Sequence, residues 1–342
     1  MSTVDIGVFA HNEAAGICGI INELARQDIL TNPNISARVL ILANGCSDDT
    51  VERAKAAIAQ LPQTLPFEVV DLAVGGKSRT WNTFVHELSR PDALGLIFCD
   101  ADIEIPAPDV LSRLVGMLSS RSELAVANSR PVKDIVARPQ NLSGFDKLIS
   151  AAGGTLDNWR TAICGQLYCL RADTARTIHL PIGLPVEDGF VRAMVLTSLF
   201  SEDEHFERID GTDDVYHVYK SERSIGALIH HQTRIVIGSS INNVIFEHLS
   251  SIPKELIPQE LVMASLDANW LPALLRQRLP TWPYGWIPVH FLVKRVTGWL
   301  QNPSGKRNIK SMAVIAAGFC FDAVVYLLAQ LKMARGAGAG YW

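Results

Sequence analysis

Two acidic doublets are the residues of this chain best suited to chemistry. Asp100-Ala101-Asp102 follows Gly95-Leu96-Ile97-Phe98-Cys99, a run too apolar to face water. Carboxylates two residues apart at a strand end can converge on one hard cation. Such an ion bridges a diphosphate and neutralises the charge that grows on it as it leaves. An acidic residue shortly before Pro106 also suits a solvated loop or a helix cap, and the spacing alone leaves both readings open. Glu187-Asp188 follows the Pro- and Gly-bearing stretch Pro181–Pro185 and opens an apolar helical pattern. A carboxylate there can act as general base on an attacking hydroxyl, or simply complement the positive end of a helix dipole. Gly75-Gly76-Lys77-Ser78 is no P-loop, because Asp71 stands where the motif needs glycine. Lys77 either reaches a phosphate or base as a point charge or is a solvated helix start. His217, in the alternating Val215-Tyr216-His217-Val218-Tyr219, is a third metal ligand or a partly buried structural histidine. No other histidine has trustworthy ligand spacing.

These residues need a frame. Short apolar runs at Asp5–Ala10, Arg38–Ala43, Phe67–Asp71, Leu94–Asp100 and Leu124–Asn128 read as strands. Helical patterns over Ala14–Leu30, Asp48–Gln60, Ser78–Leu88 and Pro108–Leu118 separate them. That alternation predicts an α/β fold around a mostly parallel sheet flanked by helices. In such sheets ligands bind beyond the carboxyl ends of the strands. Three strand ends carry unusual loops: Ala10-His11-Asn12-Glu13, Asn44 to Thr50, and Asp100-Ala101-Asp102. Their convergence on one sheet edge is stronger than any single motif. Further on, strands are expected at Ile163–Arg171 and Asp213–Tyr219, and helices from Glu187 to Phe200 and from Ser224 to His248.

The 342 residues carry 48% hydrophobic and 19% charged side chains, which excludes disordered, collagenous and disulfide-scaffold classes. A net charge of −4 argues against nucleic acid as the main partner. Six cysteines without a CxxC pair, and an apolar strand beginning at Ile6 with no signal-like segment before it, lead to the expectation of reduced thiols in a cytoplasmic setting. The Asn141-Leu142-Ser143 sequon then has no meaning.

Taken together, Phe9-Ala10-His11-Asn12-Glu13, the Asn44–Thr50 loop, Gly76 to Asn82, Asp100-Ala101-Asp102 and Glu187-Asp188 resemble the family-two glycosyltransferases of the GT-A fold, in the family's order across Val4 to Ile237. The resemblance implies an inverting enzyme that moves one sugar from a nucleoside-diphosphate donor, a UDP- or GDP-sugar, to an acceptor hydroxyl. It implies that Glu13 holds the nucleoside, with Ala10, His11 and Asn12 shaping its loop. Asn44 stands where many relatives have Asp, in the loop that meets the base. Lys77 is expected near the base or phosphates. Asp100 and Asp102 are expected to hold Mg2+ or Mn2+, with Ala101 between them, and Asp188 to be the base beside Glu187. The relatives' QxxRW signature is reduced here to His231-Gln232-Thr233-Arg234-Ile235. Arg234 is kept, for a phosphate or carboxylate, and the loss of the rest speaks for single addition rather than processive synthesis. Two other classes stay open: a nucleotidyltransferase on a related sheet, and a non-catalytic membrane-associated protein that kept the fold.

The C-terminal stretch differs from the body. From Trp270 to Trp342 nine Lys or Arg accompany a single acid, Asp322, together with five of the seven tryptophans. Pro280–Leu300 reads as an element lying at a membrane interface. Ser311–Leu331 is long and apolar enough to span, yet Asp322 near its centre would cost about 2.5–3.5 kcal/mol there. An embedded or docked helix is therefore favoured over a span. The expected organisation is a donor half (1–130), an acceptor half with the acidic pair (131–250) and a membrane-associating helical tail (251–342). The expected location is the cytoplasmic face of the inner or plasma membrane, serving a lipid-linked or envelope glycan precursor.

Overall fold

The computed structural model describes residues 2–139, 158–279, 286–301 and 309–336. The Asn141-Leu142-Ser143 sequon, the first residues of Pro280–Leu300 and Trp342 lie outside them. The described strands are β1 (Ser2–Ala10), β2 (Ile35–Asn44), β3 (Phe67–Leu72), β4 (Ala93–Asp100), β5 (Ile103–Glu104), β6 (Val126–Lys133), β7 (Leu167–Arg171) and β8 (Ile209–Tyr219). They form one mixed sheet in the order β3-β2-β1-β4-β7-β6-β8-β5. The β3-β2-β1-β4 half is parallel, as the βαβ alternation predicts, and β7 enters antiparallel to both β4 and β6. β1, β2 and β4 lie inside the sheet, which is why they read as continuous Val, Ile and Leu runs.

The helices are α1 (Ile17–Leu24), α2 (Thr50–Ile58), α3 (Lys77–Asn82), α4 (Val110–Ser120), α5 (Asp134–Ala137), α6 (Ala172–Thr177), α7 (Glu187–Leu196), α8 (Ile225–Ser250), α9 (Ile257–Leu266), α10 (Trp270–Arg278), α11 (His290–Gln301) and α12 (Ile309–Ala334). Strand alternation splits the core. Val4, Ile6 and Val8 point to one face and pack with α1, α2 and α4. Phe9, Leu40, Leu42, Leu96 and Phe98 point to the other, under α3 and α6 to α10. That second core runs on into Val325, Ala329 and Met333 of α12, so the C-terminal helix is part of the folded body.

Three helices differ from the periodicity. The Ala14–Leu30 pattern yields only α1 and a 3-10 turn at Asp28–Leu30, because residues before Ile17 form a loop whose Glu13 carbonyl accepts from Gly16 and Ile17 N–H. The Ser78–Leu88 pattern begins as α3 and continues as a π-helical turn over Thr83–Leu88. The helix expected to reach Phe200 stops at Leu196, where Ser198, Leu199 and Phe200 turn left-handed with φ of 45°, 59° and 60°. Phe200 N–H donates to Thr197 Oγ1 at 2.9 Å, closing the end.

Candidate active site

The loops at the carboxyl ends of β1, β2 and β4 are laced together. Asn12 sits at φ 54°, a left-handed conformation asparagine tolerates, and its Oδ1 accepts from Ser47 N–H at 2.8 Å. His11 Nδ1 donates to the Asn44 carbonyl at 2.7 Å. Glu13 N–H donates to Thr50 Oγ1 at 2.8 Å, and Ala14 N–H to Asp48 Oδ2 at 3.1 Å. Ala10, 1% exposed, closes the strand, with Cys46 Sγ donating to its carbonyl. Ala101 N–H reaches back to the Phe9 carbonyl at 3.0 Å and joins the third loop to the first.

Asn44 is buried, and its side-chain oxygen accepts from Gly76 N–H at 2.7 Å. It fixes the loop that presents Lys77. Gly45 makes the same joint possible: at φ 58°, a Cβ there would lie 2.6 Å from the Gly75 backbone. Trp81, one turn beyond Lys77 on α3, anchors the helix from below. Its ring stacks on Phe98 at 5.4 Å, and its Nε1–H donates to the Tyr168 hydroxyl at 3.2 Å.

Lys77 joins the two acidic doublets. Its Nζ is 2.9 Å from Asp100 Oδ1 and 2.9 Å from Glu187 Oε1. Burial alone would lower its pKa, but the two carboxylates together raise it well above the ordinary value, so the ammonium is permanently charged. Burial first, then the charge of Asp102, pushes Asp100 up to about 7 despite Lys77. Glu13 is raised by burial and by Asp102 as well, which places it in the same field. Asp102 is exposed at the mouth. Carboxylates crowded beyond their counter-charge make a site that favours an added cation.

Asp188 opens α7 and accepts from Gly189 N–H at 2.7 Å. Burial, then Glu187, raises it to about 6, with Lys77 and Arg234 pulling the other way. Arg234 comes from α8, whose residues 234, 238 and 242 fall on one face by helical spacing. Gly238 meets Val186 so closely that a Cβ would sit 2.2 Å from Val186 Cγ2. Asn242 Nδ2 donates to the Val186 carbonyl at 3.1 Å. Neither Gly238 nor Asn242 stood out in the sequence, since nothing local links them to the acidic pair. The same holds for Cys164-Gly165-Gln166. Gly165 takes φ 41°, and a Cβ there would lie 3.2 Å from Asp188 Oδ2, while the Gln166 carbonyl accepts from Asp100 N–H at 2.8 Å. This short loop thus wedges between the two doublets.

His217 is fully buried between Ser129 Oγ and Gln166 Oε1, each 3.0 Å away, and burial lowers it to about 3. Both ring nitrogens are occupied by protein, so it is the structural histidine of the two readings. Among the described residues no three His, Cys, Asp or Glu side chains form a metal cluster. Asp100 and Asp102 still fit a hard divalent cation, because Mg2+-type ions are commonly held by one or two carboxylates plus substrate phosphates.

No family model matches the chain, and no curated protein matches it by sequence. Solved structures do. The chain is similar to the mannosyltransferase PcManGT from Pyrobaculum calidifontis, in complex with GDP-Man and Mn2+, at 16% identity and TM-score 0.55, over 97% of this chain and 86% of that one. It is also similar, at 17% identity and TM-score 0.45 over 74% and 81%, to glucosyl-3-phosphoglycerate synthase from Mycobacterium tuberculosis with Mn2+, UDP-Glc and phosphoglyceric acid. The match to PcManGT over nearly the whole chain shows the GT-A glycosyltransferase fold.

Proposed function

We propose that the protein is an inverting, metal-assisted glycosyltransferase of the family-two kind that adds one hexose from a UDP- or GDP-sugar to an acceptor hydroxyl. The observation that carries this reading is Lys77, whose contacts with Asp100 and Glu187 unite the two acidic doublets in one site. The similar mannosyltransferase, solved with GDP-Man and Mn2+, supports the same chemistry. Ala10, His11, Asn12, Glu13 and Asn44 form the donor's nucleoside side in this proposal. Asp100 and Asp102 hold Mg2+ or Mn2+, with Ala101 tying their loop to β1. The bound cation supplies neutralisation of the leaving diphosphate.

The remaining steps belong to side chains. Lys77 carries positive charge between the doublets and stabilises oxyanion charge as the anomeric bond breaks. Asp188, raised toward neutrality by burial yet ionised above about pH 6, takes the acceptor's proton. Attack from the face opposite the diphosphate inverts the anomeric centre. Glu187 fixes Lys77, and Arg234 offers a charge to a phosphate or carboxylate on the donor side of the site. Residues 1–130 then serve the donor, 131–250 the acceptor, and 251–342 the cytoplasmic face of the inner or plasma membrane, where a lipid-linked or envelope glycan precursor is the acceptor.

The test is product analysis with purified protein and a panel of UDP- and GDP-sugars plus Mn2+. Free nucleoside diphosphate and a β-linked product from an α-linked donor are expected. Release of pyrophosphate would instead make the enzyme a nucleotidyltransferase, and retained anomeric configuration would refute single displacement.

A further inference from the structure

The two C-terminal helices run antiparallel. Arg295 of α11 pairs with Asp322 of α12 at 2.7 Å, and Ile287, just before α11, meets Gln330 and Tyr326 of α12 through its backbone. The second half of α12 packs its Val325, Ala329 and Met333 side into the core beside α8. By length and composition α12 is apolar enough to cross a membrane, and 17% of its most apolar window is buried, but its second half is tied to α8. A span would drag into lipid the catalytic-domain helix α8, which carries Arg234, His230, His231 and Glu247.

Among the described residues, the outer side of the pair is largely apolar and exposed. Leu300, Met312, Val314 and Phe319 are exposed, and Leu327 and Leu331 continue the outer side of α12. Between the helices lies an open hollow of about 400 Å³ lined by Val296, Trp299, Met312, Ile315, Ala316 and Phe319. It falls in the volume range of ligand sites and is walled almost entirely by hydrocarbon. Charge says what kind of surface covers it. Lys294 is exposed on α11, Lys332 and Arg335 close α12, and the sole acid of the pair, Asp322, is buried against Arg295. An apolar strip between basic residues fits an anionic bilayer surface, with the ammonium and guanidinium groups at headgroup level.

We propose that α11 and α12 lie flat on an anionic phospholipid leaflet and take one acyl chain into the hollow beside Trp299. The inference deepens the membrane-side reading above and rests on it. Because α8 carries Arg234 and also packs α12, it sets the active site at a fixed height over the lipid.

Flotation of the full chain tests this, using vesicles of phosphatidylcholine alone and of equal parts phosphatidylcholine and phosphatidylglycerol. Wild type is expected to float with the anionic vesicles and at least about tenfold less with the neutral ones. The triple variant Leu300→Asp, Met312→Asp, Phe319→Asp, all at exposed positions, is expected to lose at least about tenfold in binding while keeping its melting temperature. Lipids brominated on the acyl chain should quench tryptophan fluorescence of wild type, and Trp299→Phe should remove most of that quenching. If wild type floats with neither vesicle, the membrane reading itself falls. If the triple variant floats like wild type, or Trp299→Phe leaves quenching unchanged, this surface is wrong while the membrane reading survives. A concentration-dependent dimer in light scattering, dissolved by the same substitutions and without flotation, would assign the surface to a second copy and overturn the proposal.

Discussion

In the proposed reaction Lys77 and Asp188 divide the residue-scale chemistry between them. Lys77 is the internal counter-ion of Asp100 and Glu187. Replacing it with methionine leaves buried carboxylates without their partner, which is more damaging than losing the pair outright. Lys77→Met is expected to lower thermal stability and to weaken nucleoside-diphosphate binding by about tenfold or more, read by calorimetry. Asp188→Asn should keep donor binding and lose transfer by about 10²–10⁴-fold, the range of a general base. The pH profile follows from its raised pKa. Transfer should rise with pH up to about 6 and level off above, since only the ionised form accepts the proton. Stability has the opposite sign. The fold prefers protonated Asp188, so this contribution is whole below the ordinary value of 3.8 and is lost as pH climbs through about 6. Asp188→Asn should therefore melt higher than wild type at neutral pH; a lower melting temperature would contradict the burial that raises the acid. Both acidic doublets were legible in the sequence because type and spacing mark them. The bridge by Lys77 was not, because a contact between Lys77 and Glu187 is fixed by β4, β7 and α7 together rather than by any local pattern.

At the scale of elements, α8 is the part that aims the acidic pair. Gly238 lets α8 touch Val186, and Asn242 holds the Val186 carbonyl at the start of α7. A methyl group at position 238 would push the start of α7 away. Gly238→Ala is expected to cost about 1–3 kcal/mol in denaturant unfolding and to reduce kcat while leaving donor KM nearly unchanged. Equal losses in kcat and donor binding would mean that α8 supports the whole site rather than the base alone. The sequence made α8 visible as a long helix, since its apolar positions recur from Ile225 to Leu249. It made the parallel strands visible too, through their unbroken apolar runs. What escaped was the antiparallel entry of β7 between β4 and β6, since strand order is set by tertiary packing. The loop preceding Ile17 and the left-handed stop after Leu196 escaped for a related reason: hydrophobic period continues where the backbone does not.

At the scale of the molecule, the described residues form one sheet with two cores, and the second core reaches from β1 into α12. Deleting the tail would therefore bare part of α8, and point substitutions on the outer side are the cleaner probe of its role. Asp5 shows how the ends of the sheet differ. It is fully buried at the end opposite the candidate site, held by Arg38 at 2.8 Å and Arg90 at 2.7 Å, and so serves the fold. Among the described residues at the carboxyl end, Glu13, Asp100, Asp102, Glu187 and Asp188 outnumber the cations that act on them, Lys77, Lys220 and Arg234, a surplus of negative charge that suits an added cation.

The most direct measurement is calorimetric titration of UDP and GDP into the protein with and without Mn2+. Mn2+ should tighten binding of the cognate nucleotide by at least about tenfold in wild type and in Asp188→Asn, and Asp102→Ala should abolish that gain. Affinity indifferent to Mn2+, or a gain that survives Asp102→Ala, would contradict a cation held by the Asp100–Asp102 doublet.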